Sequence, residues 1–441
     1  MNRFFRKILV VAWVTFFLSS GTIQADALSK LEAEKLEAVH NAIQELKPQL
    51  QQPVRPKPFS EFRANLHVHS KWSHDSRGQI EDIVAAAKSA GTQVLMFSEH
   101  PAAHYDFFAD GHQGIHDGVL LIPGAEMKGF LVYPTFSMKG IEPETPQEIS
   151  DLVTGRDGQL FVSHLEERMD WDIQGVTGVE IYNTHADFKD ETGMISALKN
   201  PLRMIQLAGL LNKYPQECFS ALQNYPQDYL KRWDELCMKA PHTGVSANDA
   251  HQNVGLLVRW VEGDQARIED ALGEARLDLS LAAVPNSAAL CAGKQPGDVI
   301  YQILLDPYFN SLNHVGTHLL MQELSEPAVR DALKNGRAFV AFDWLADSTG
   351  FDFAAFSGDQ RIEMGTQLKF EGEYRFEATA PLPVHWRLIR NGELVTETHG
   401  RSLSHPADVP GIYRTEAWLD IAGEKMIWIL SNPIYLQSSL P

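Results

Sequence analysis

The chain has 441 residues, of which 44% are apolar and 22% are charged, and this composition is typical of a folded protein large enough for two domains. Fibrous and intrinsically disordered proteins are excluded by the same values. The formal net charge is -19, with 38 Lys and Arg against 57 Asp and Glu. Such a surface repels a nucleic-acid backbone, so we expect no nucleic-acid partner.

Residues 1–25 have the pattern of a secretory signal peptide. Basic residues precede an apolar run at 8–18, which is too short to cross a bilayer as a helix, and small residues follow up to Ala25 and Ala27. We predict cleavage after one of these two alanines, export to the periplasm or the medium, and no membrane span in the mature chain. An uncleaved membrane anchor is the alternative interpretation.

The remaining chain divides into three segments by its pattern of apolar residues. Residues 26–60 predict an amphipathic helix and a Pro-containing linker, and the helix is expected to pack on the main body rather than in a coiled coil. Short apolar runs alternate with helical stretches at 61–344, which predicts parallel α/β packing with a helical insertion at 187–240. Residues 345–441 predict a small all-β, immunoglobulin-like (Ig-like) sandwich domain.

The predicted strands of the α/β segment end on residue types that bind metal ions. Two histidines separated by one residue lie on the same face of a strand, and the carboxyl ends of parallel strands meet at one edge. Imidazole nitrogen and carboxylate oxygen suit zinc, manganese or iron. The motifs are His67-Val68-His69, Asp75, Ser98-Glu99-His100, Gly124-Ala125-Glu126, Ser163-His164 and Asp249-Ala250-His251. Their number predicts a centre for more than one cation.

In this order, over residues 62–255, the motifs resemble those of the PHP superfamily, named for its polymerase and histidinol phosphatase domains. The resemblance implies a distorted (β/α)7 barrel, two or three divalent cations (Zn, Mn or Fe) and phosphoesterase activity. Carried over position by position, it implies eight metal ligands. They are His67, His69, Asp75, His100, Glu126, His164, Asp249 and His251.

The chain departs from the family pattern at two positions. Many members have a further His between the positions of Lys128 and Ser163, and this chain has none there. His185 is a candidate for that role, with a surface histidine as the alternative. Glu99 stands where Asp is usual, which keeps the charge. Arg168 and other basic residues near the strand ends are weaker candidates for contacts with a substrate phosphate.

We therefore expect a metal-dependent hydrolase, namely a phosphoesterase that acts on a small phosphorylated molecule through a metal-bridging hydroxide. One cation is expected at His67, His69, Glu126 and Asp249, and another at Glu126, His100 and His164. The candidate catalytic residues are Asp75 and His251, which would complete a third subsite or assist proton transfer. The alternatives are an exported metal-dependent hydrolase of a carboxyl ester, amide or carbamate, and a catalytically inactive metal- or glycan-binding protein.

Overall fold

The structure, a computed structural model, describes residues 27–55, 58–190, 208–284 and 287–438. The predicted signal peptide at 1–25 lies outside the described residues. Two helices, α1 (Ala27–Lys30) and α2 (Ala33–Leu46), begin the described chain, and Leu36 of α2 is buried against the body. In the described part of the chain, no helix is both long and apolar enough to cross a membrane.

A ring of hydrogen-bonded strands forms the centre of the molecule. Within the ring, adjacent strands run parallel in the order β2-β1-β9-β8-β7. Strand β6 is antiparallel to β7 and to β5, and β4 pairs in parallel with β2. A bridge between Glu99 and Ala125 closes the ring. The strands are β1 (Ser60–Val68), β2 (Val94–Phe97), β3 (Gly114–His116), β4 (Val119–Ile122), β5 (Ala125–Met127), β6 (Phe130–Tyr133), β7 (Gln159–Val162), β8 (Gly178–Asn183) and β9 (Thr243–Ala250).

Helices connect these strands, as the alternating pattern predicts. Helix α3 (Ile80–Ser89) joins β1 to β2 and buries Ile83 and Ala87, four residues apart on one face. Helix α4 (Pro146–Thr154) is capped by the preceding Thr145, whose side chain accepts a hydrogen bond from the Glu148 amide. Between β8 and β9 the regular elements of the described residues are helices, labelled α5, α6 and α7. Their bounds are Thr184–Asp190, Pro215–Ser220 and Gln227–Cys237, and 208–213 is also helical.

A second, four-stranded antiparallel sheet follows the ring, in the order β12-β11-β10-β13. The sequence pattern predicts parallel α/β packing here rather than an antiparallel sheet. Most side chains of β10 are half-buried rather than alternately buried and exposed, so the period-two signal of a strand is weak there. The elements are β10 (Gly255–Glu262), β11 (Gln265–Asp270), β12 (Ala275–Ser280), α8 (Ser287–Cys291) and β13 (Val299–Leu304).

The C-terminal part is rich in strands, which agrees with the predicted α/β fold class carrying an all-β C-terminal region. β14 pairs antiparallel with the first half of β1, and β15 connects β14 to β22, so hydrogen bonding continues from the ring into this region. The predicted boundary at residue 345 falls in the loop between β15 and β16. The elements are α9 (Tyr308–His314), β14 (Gly316–Met321), α10 (Glu326–Lys334), β15 (Ala338–Ala341), β16 (Asp352–Ser357), β17 (Gln360–Glu363), β18 (Gln367–Lys369), β19 (Tyr374–Arg390), β20 (Glu393–Ala407), β21 (Gly411–Ile421), β22 (Glu424–Ser431) and β23 (Ile434–Gln437).

Candidate metal centre

All eight predicted ligands converge at one edge of the strand ring. They lie at or just beyond the carboxyl ends of β1, β2, β7 and β9, on β5, and in the loop after β1. This is the edge at which ligand sites form in parallel α/β folds, because the loops after all the strands meet there.

The first cluster consists of His67, His69, Glu126 and Asp249, whose potential ligand atoms all lie within 4.8 Å of one another. Nε2 of His67 is 3.1 Å from Asp249 Oδ1 and 3.3 Å from Glu126 Oε2. Nε2 of His69 is 3.4 Å from the same Asp249 oxygen. This is the set that the sequence analysis places around one cation.

The second cluster consists of His69, Asp75, His100 and His251. Asp75 Oδ2 is 3.2 Å from His100 Nε2 and 3.3 Å from His251 Nε2, and the His69 and His251 rings stack at 3.9 Å. We expected His100 to lie with Glu126 and His164, but it is grouped with Asp75 and His251. The carboxylate, not the neighbouring His74 with its 80% exposed side chain, points into the cluster.

The remaining oxygens of the first cluster face a third group of side chains. Glu126 Oε1 is 3.2 Å from His164 Nε2, and Asp249 Oδ2 is 3.6 Å from both His164 Nε2 and His185 Nδ1. Each carboxylate thus has one oxygen toward the first cluster and one toward His164. His185, with a 42% exposed side chain, stands beside this group, where the sequence analysis looks for a replacement ligand.

Buried polar atoms without hydrogen-bond partners support a fit to divalent cations. Nε2 of His67, Oδ1 of Asp249, Oδ1 of Asp75 and Nε2 of His251 are buried and lack a partner of hydrogen-bonding geometry among the described residues. A buried polar atom without a partner costs about 1–3 kcal/mol, so four of them in one site call for a ligand. Nitrogen and carboxylate oxygen are the donors that zinc, manganese and iron accept.

Four of the histidines are held so that Nε2 faces the centre. In each, Nδ1 lies within hydrogen-bonding distance of an acceptor, which favours a proton on Nδ1 and leaves Nε2 as the nitrogen that a cation would take. The pairs are His67 with Glu180 Oε1 at 2.7 Å, His69 with Ser73 Oγ at 3.1 Å, His164 with Glu166 Oε1 at 3.2 Å, and His251 with the Asp249 backbone oxygen at 2.9 Å.

Glu180 is a functional candidate that the sequence analysis missed. It lies on β8, is completely buried, and accepts hydrogen bonds from His67 Nδ1, the His164 amide at 2.8 Å and Asn183 Nδ2 at 2.8 Å. One carboxylate therefore orients two predicted ligands. A charged residue within the otherwise apolar run of β8 is the signal that could have identified it.

Glu99 also supports the centre from outside it. Its carboxylate accepts hydrogen bonds from the Ser70 amide at 3.1 Å, the Ser70 hydroxyl at 2.5 Å and the Ser73 hydroxyl at 2.6 Å. Because the Ser73 hydroxyl donates to Glu99, its oxygen is left to accept from His69 Nδ1. Glu99 thus fixes the orientation of His69 through Ser73.

Three of the predicted ligands have a left-handed backbone conformation that is unusual for residues other than glycine. Their φ angles are 65° for His67, 46° for His164 and 49° for Asp249. The register of β1 against β2 and β9 shifts at His67, so this residue lies in a bulge. Such conformations cost about 1–3 kcal/mol each and concentrate at functional sites, where they aim side chains that regular strands could not.

The charges at the centre match a cation site. Burial by itself would raise the pKa of Glu126, but the adjacent His67 lowers it well below its usual range, and Asp249 is shifted in the same way. Both carboxylates are therefore ionised. Burial and the nearby His251 lower the pKa of His69 to about 3, which leaves that ring neutral as a ligand must be. Burial would lower the pKa of His251, but Asp249 and Asp75 raise it to about 9.

Arg168 and Lys128, two of the weaker candidates for a phosphate contact, are engaged elsewhere. Arg168 donates to the backbone oxygens of Ser163 and His164, each at 3.0 Å, and so stabilises the turn that carries His164. Lys128 donates to the Pro143 backbone oxygen at 2.7 Å.

The fold and site define an α/β protein with two adjoining clusters of histidine and carboxylate side chains that could hold divalent cations. Residues 65–274 match the family model of the PHP domain. The chain therefore carries a PHP domain over this segment, as the resemblance to the PHP superfamily predicts.

Among solved structures, the chain is similar to a two-domain protein from Bacteroides vulgatus described as containing a predicted PHP-like metal-dependent phosphoesterase. The two chains are 12% identical, with a TM-score of 0.36, and the match covers 87% of this chain and 98% of the other. A search of the curated proteins finds no match. The PHP domain and the two ligand clusters support a metal-dependent hydrolase.

Proposed function

We propose that the protein is a phosphoesterase that hydrolyses a small phosphorylated molecule with the help of two or three divalent cations. The observation that carries the proposal is the pair of four-residue clusters that share His69, since they bring two cation sites next to each other. Cations held there would lower the pKa of a bound water and polarise a phosphoryl oxygen.

The side chains have separate parts in this proposal. His67, His69, Glu126 and Asp249 hold one cation, and His69, Asp75, His100 and His251 form the adjoining site. Hydrolysis adds water across the ester: a P–O bond forms, the P–O bond to the organic group breaks, and the alcohol leaves with a proton. Asp75 and His251, which share a contact of 3.3 Å, either complete the second cation site or supply that proton.

The proposal is tested by assaying metal-loaded protein against matched panels of phosphomonoesters and carboxyl esters. Phosphate release supports it, whereas cleavage of the carboxyl esters alone would favour the alternative hydrolase. Elemental analysis of the same preparation should give at least two bound metal ions per chain. Fewer than two ions and no turnover would favour an inactive binding protein.

A pair of matched variants tests the site itself. Glu126→Gln keeps the shape of the side chain but removes the charge between the first cluster and His164, so we expect loss of both metal and turnover. Glu142→Gln makes the same chemical change on an exposed loop residue and should change neither. A Glu126→Gln protein that is folded and retains full metal content would contradict the assigned site.

We also propose that the protein is exported and that residues 1–25 are removed. The support is the basic, apolar and small-residue pattern of that segment. N-terminal sequencing of the protein recovered from the periplasm or medium tests it, with a new terminus at residue 26 or 28 expected. An intact N-terminus on a membrane-bound chain would refute it.

A further inference from the structure

A cavity opens directly beside the metal centre, with Asp249, His251 and His185 on one side. Its volume is about 70 Å³, measured as the space open to the centres of water-sized molecules. A molecule bound at the ligand clusters would therefore have room to extend in this direction.

The wall away from the metal ligands is apolar. It is formed by Leu31, between α1 and α2, and by side chains of the helical region between β8 and β9. These side chains are Phe188, Leu211, Phe219 and Leu222, and Leu305 adds to the wall after β13. Leu31 and Leu222 belong to one buried apolar cluster with Cys218, and Leu211 packs against it. The wall is thus a continuous apolar surface.

Two polar groups of the lining, Asn248 and Asp306, are already engaged with the protein. Asn248 Nδ2 donates to the backbone oxygens of Ser311 and Val315, each at 2.8 Å. The Asp306 carboxylate accepts from the Asn253 and Val254 amides, each at 2.9 Å. No lysine or arginine is among the described residues that line the cavity. Among the described lining residues, a sugar or nucleotide would therefore find few free partners for its hydroxyl groups and no lysine or arginine for a second phosphate.

We propose that this cavity receives an apolar organic group of the substrate, so that the phosphoester hydrolysed is that of an alkyl or aryl alcohol. The inference rests on the proposed phosphoesterase function and adds the substrate class to it. Each methylene that moves from water into the apolar wall should strengthen binding by up to about fourfold.

Calorimetric titration with non-hydrolysable n-alkylphosphonates measures this without turnover. For metal-loaded protein, we expect hexylphosphonate to bind at least about tenfold more tightly than methylphosphonate, since five more methylenes enter the cavity. Dihydroxypropylphosphonate, of similar length to butylphosphonate but polar, should bind more weakly than butylphosphonate. Equal dissociation constants across the series, no binding by any member, or preference for the dihydroxypropyl compound would overturn the proposal.

Two leucine variants locate the effect. Leu211→Gln places an amide on the half-buried edge of the wall. It should weaken the binding of hexylphosphonate more than the binding of methylphosphonate. Leu277→Gln makes the same change on β12, at a 54% exposed side chain that does not line the cavity, and should alter neither. Equal weakening of both ligands by Leu211→Gln, with the folded state retained, would place the alkyl chain outside this cavity.

Phosphate release from ethyl and hexyl phosphate separates this inference from the function on which it rests. Tighter binding of longer phosphonates without any phosphate release would retain the apolar subsite and reject the phosphoesterase. Phosphate release with no dependence of either binding or kcat/KM on chain length would retain the phosphoesterase and reject the apolar subsite.

Discussion

Replacing Glu180 by Gln should disturb the metal centre without removing any of its predicted ligands. Glu180 Oε1 accepts from His67 Nδ1, while Oε2 accepts from the His164 amide and Asn183 Nδ2. A glutamine side chain has one acceptor oxygen and one donor nitrogen in place of these two oxygens.

Neither orientation of the amide reproduces this network. If the oxygen faces His67, the NH2 group meets the donors of His164 and Asn183, and two buried hydrogen bonds are lost. If the NH2 group faces His67, Nδ1 must become the acceptor and the proton moves to Nε2, which can then no longer bind a cation. Each buried donor left without a partner costs about 1–3 kcal/mol. Loss of such an outer hydrogen bond to a ligand weakens metal binding by about 10–100-fold.

Competition of the purified variant with a metal chelator measures the affinity, and urea unfolding of the metal-free protein measures the stability. Glu217→Gln is the matched control, because Glu217 Oε1 also lies 2.6 Å from a histidine Nδ1, that of His40, away from the ligand clusters. We expect weaker metal binding for Glu180→Gln only. Metal affinity equal to that of the unchanged protein would refute the positioning role of Glu180.

Two further predictions follow from other histidines. Burial would lower the pKa of His318, but Asp343 and Glu61 raise it from 6.5 to about 9, so its contribution to stability is complete below pH 6.5 and is lost as the pH rises through about 9. In this window, the free energy of unfolding measured in urea should fall by up to about 1.4 kcal/mol per pH unit. The same pH dependence in a His318→Gln variant would contradict this. At the metal centre, Glu126 raises the pKa of His164 to about 10 and Asp249 that of His251 to about 9, in each case against the lowering effect of burial. Metal binding at pH 7 should therefore release protons, so the heat of binding should vary with the ionisation enthalpy of the buffer. The same heat in every buffer would contradict this.

The convergence of the eight predicted ligands could be predicted from the sequence because its signal is local. A short apolar run predicts a strand, and the histidine or carboxylate after it is placed by the strand's direction alone. His67, His100 and His164 are examples, each at or just after a parallel strand of the ring. The carboxyl ends of parallel strands meet at one edge, so the ligands were expected together before any distance was known.

The grouping of those ligands could not be predicted in the same way. His100 lies with Asp75 and His251 because the loop after β1 brings Asp75 to both histidines, and no motif spacing encodes that placement. The bulge at His67 similarly depends on pairing with β2 and β9, which are distant in the chain. Glu180 belongs to no motif, and its role appears only when β8 pairs with β7 and β9, and β9 in turn with β1.

The sequence by itself therefore determined the α/β class, the strand-rich C-terminal region and the identity of the residues that converge, since each depends on patterns within a few residues. Only the tertiary structure decided which ligands share a cluster, which buried carboxylate orients them and where the apolar cavity lies. That cavity joins Leu31 to Phe219 and Leu305, which are widely separated in the chain. Contacts of this kind arise from packing between elements, and packing is set by the whole fold rather than by any local pattern.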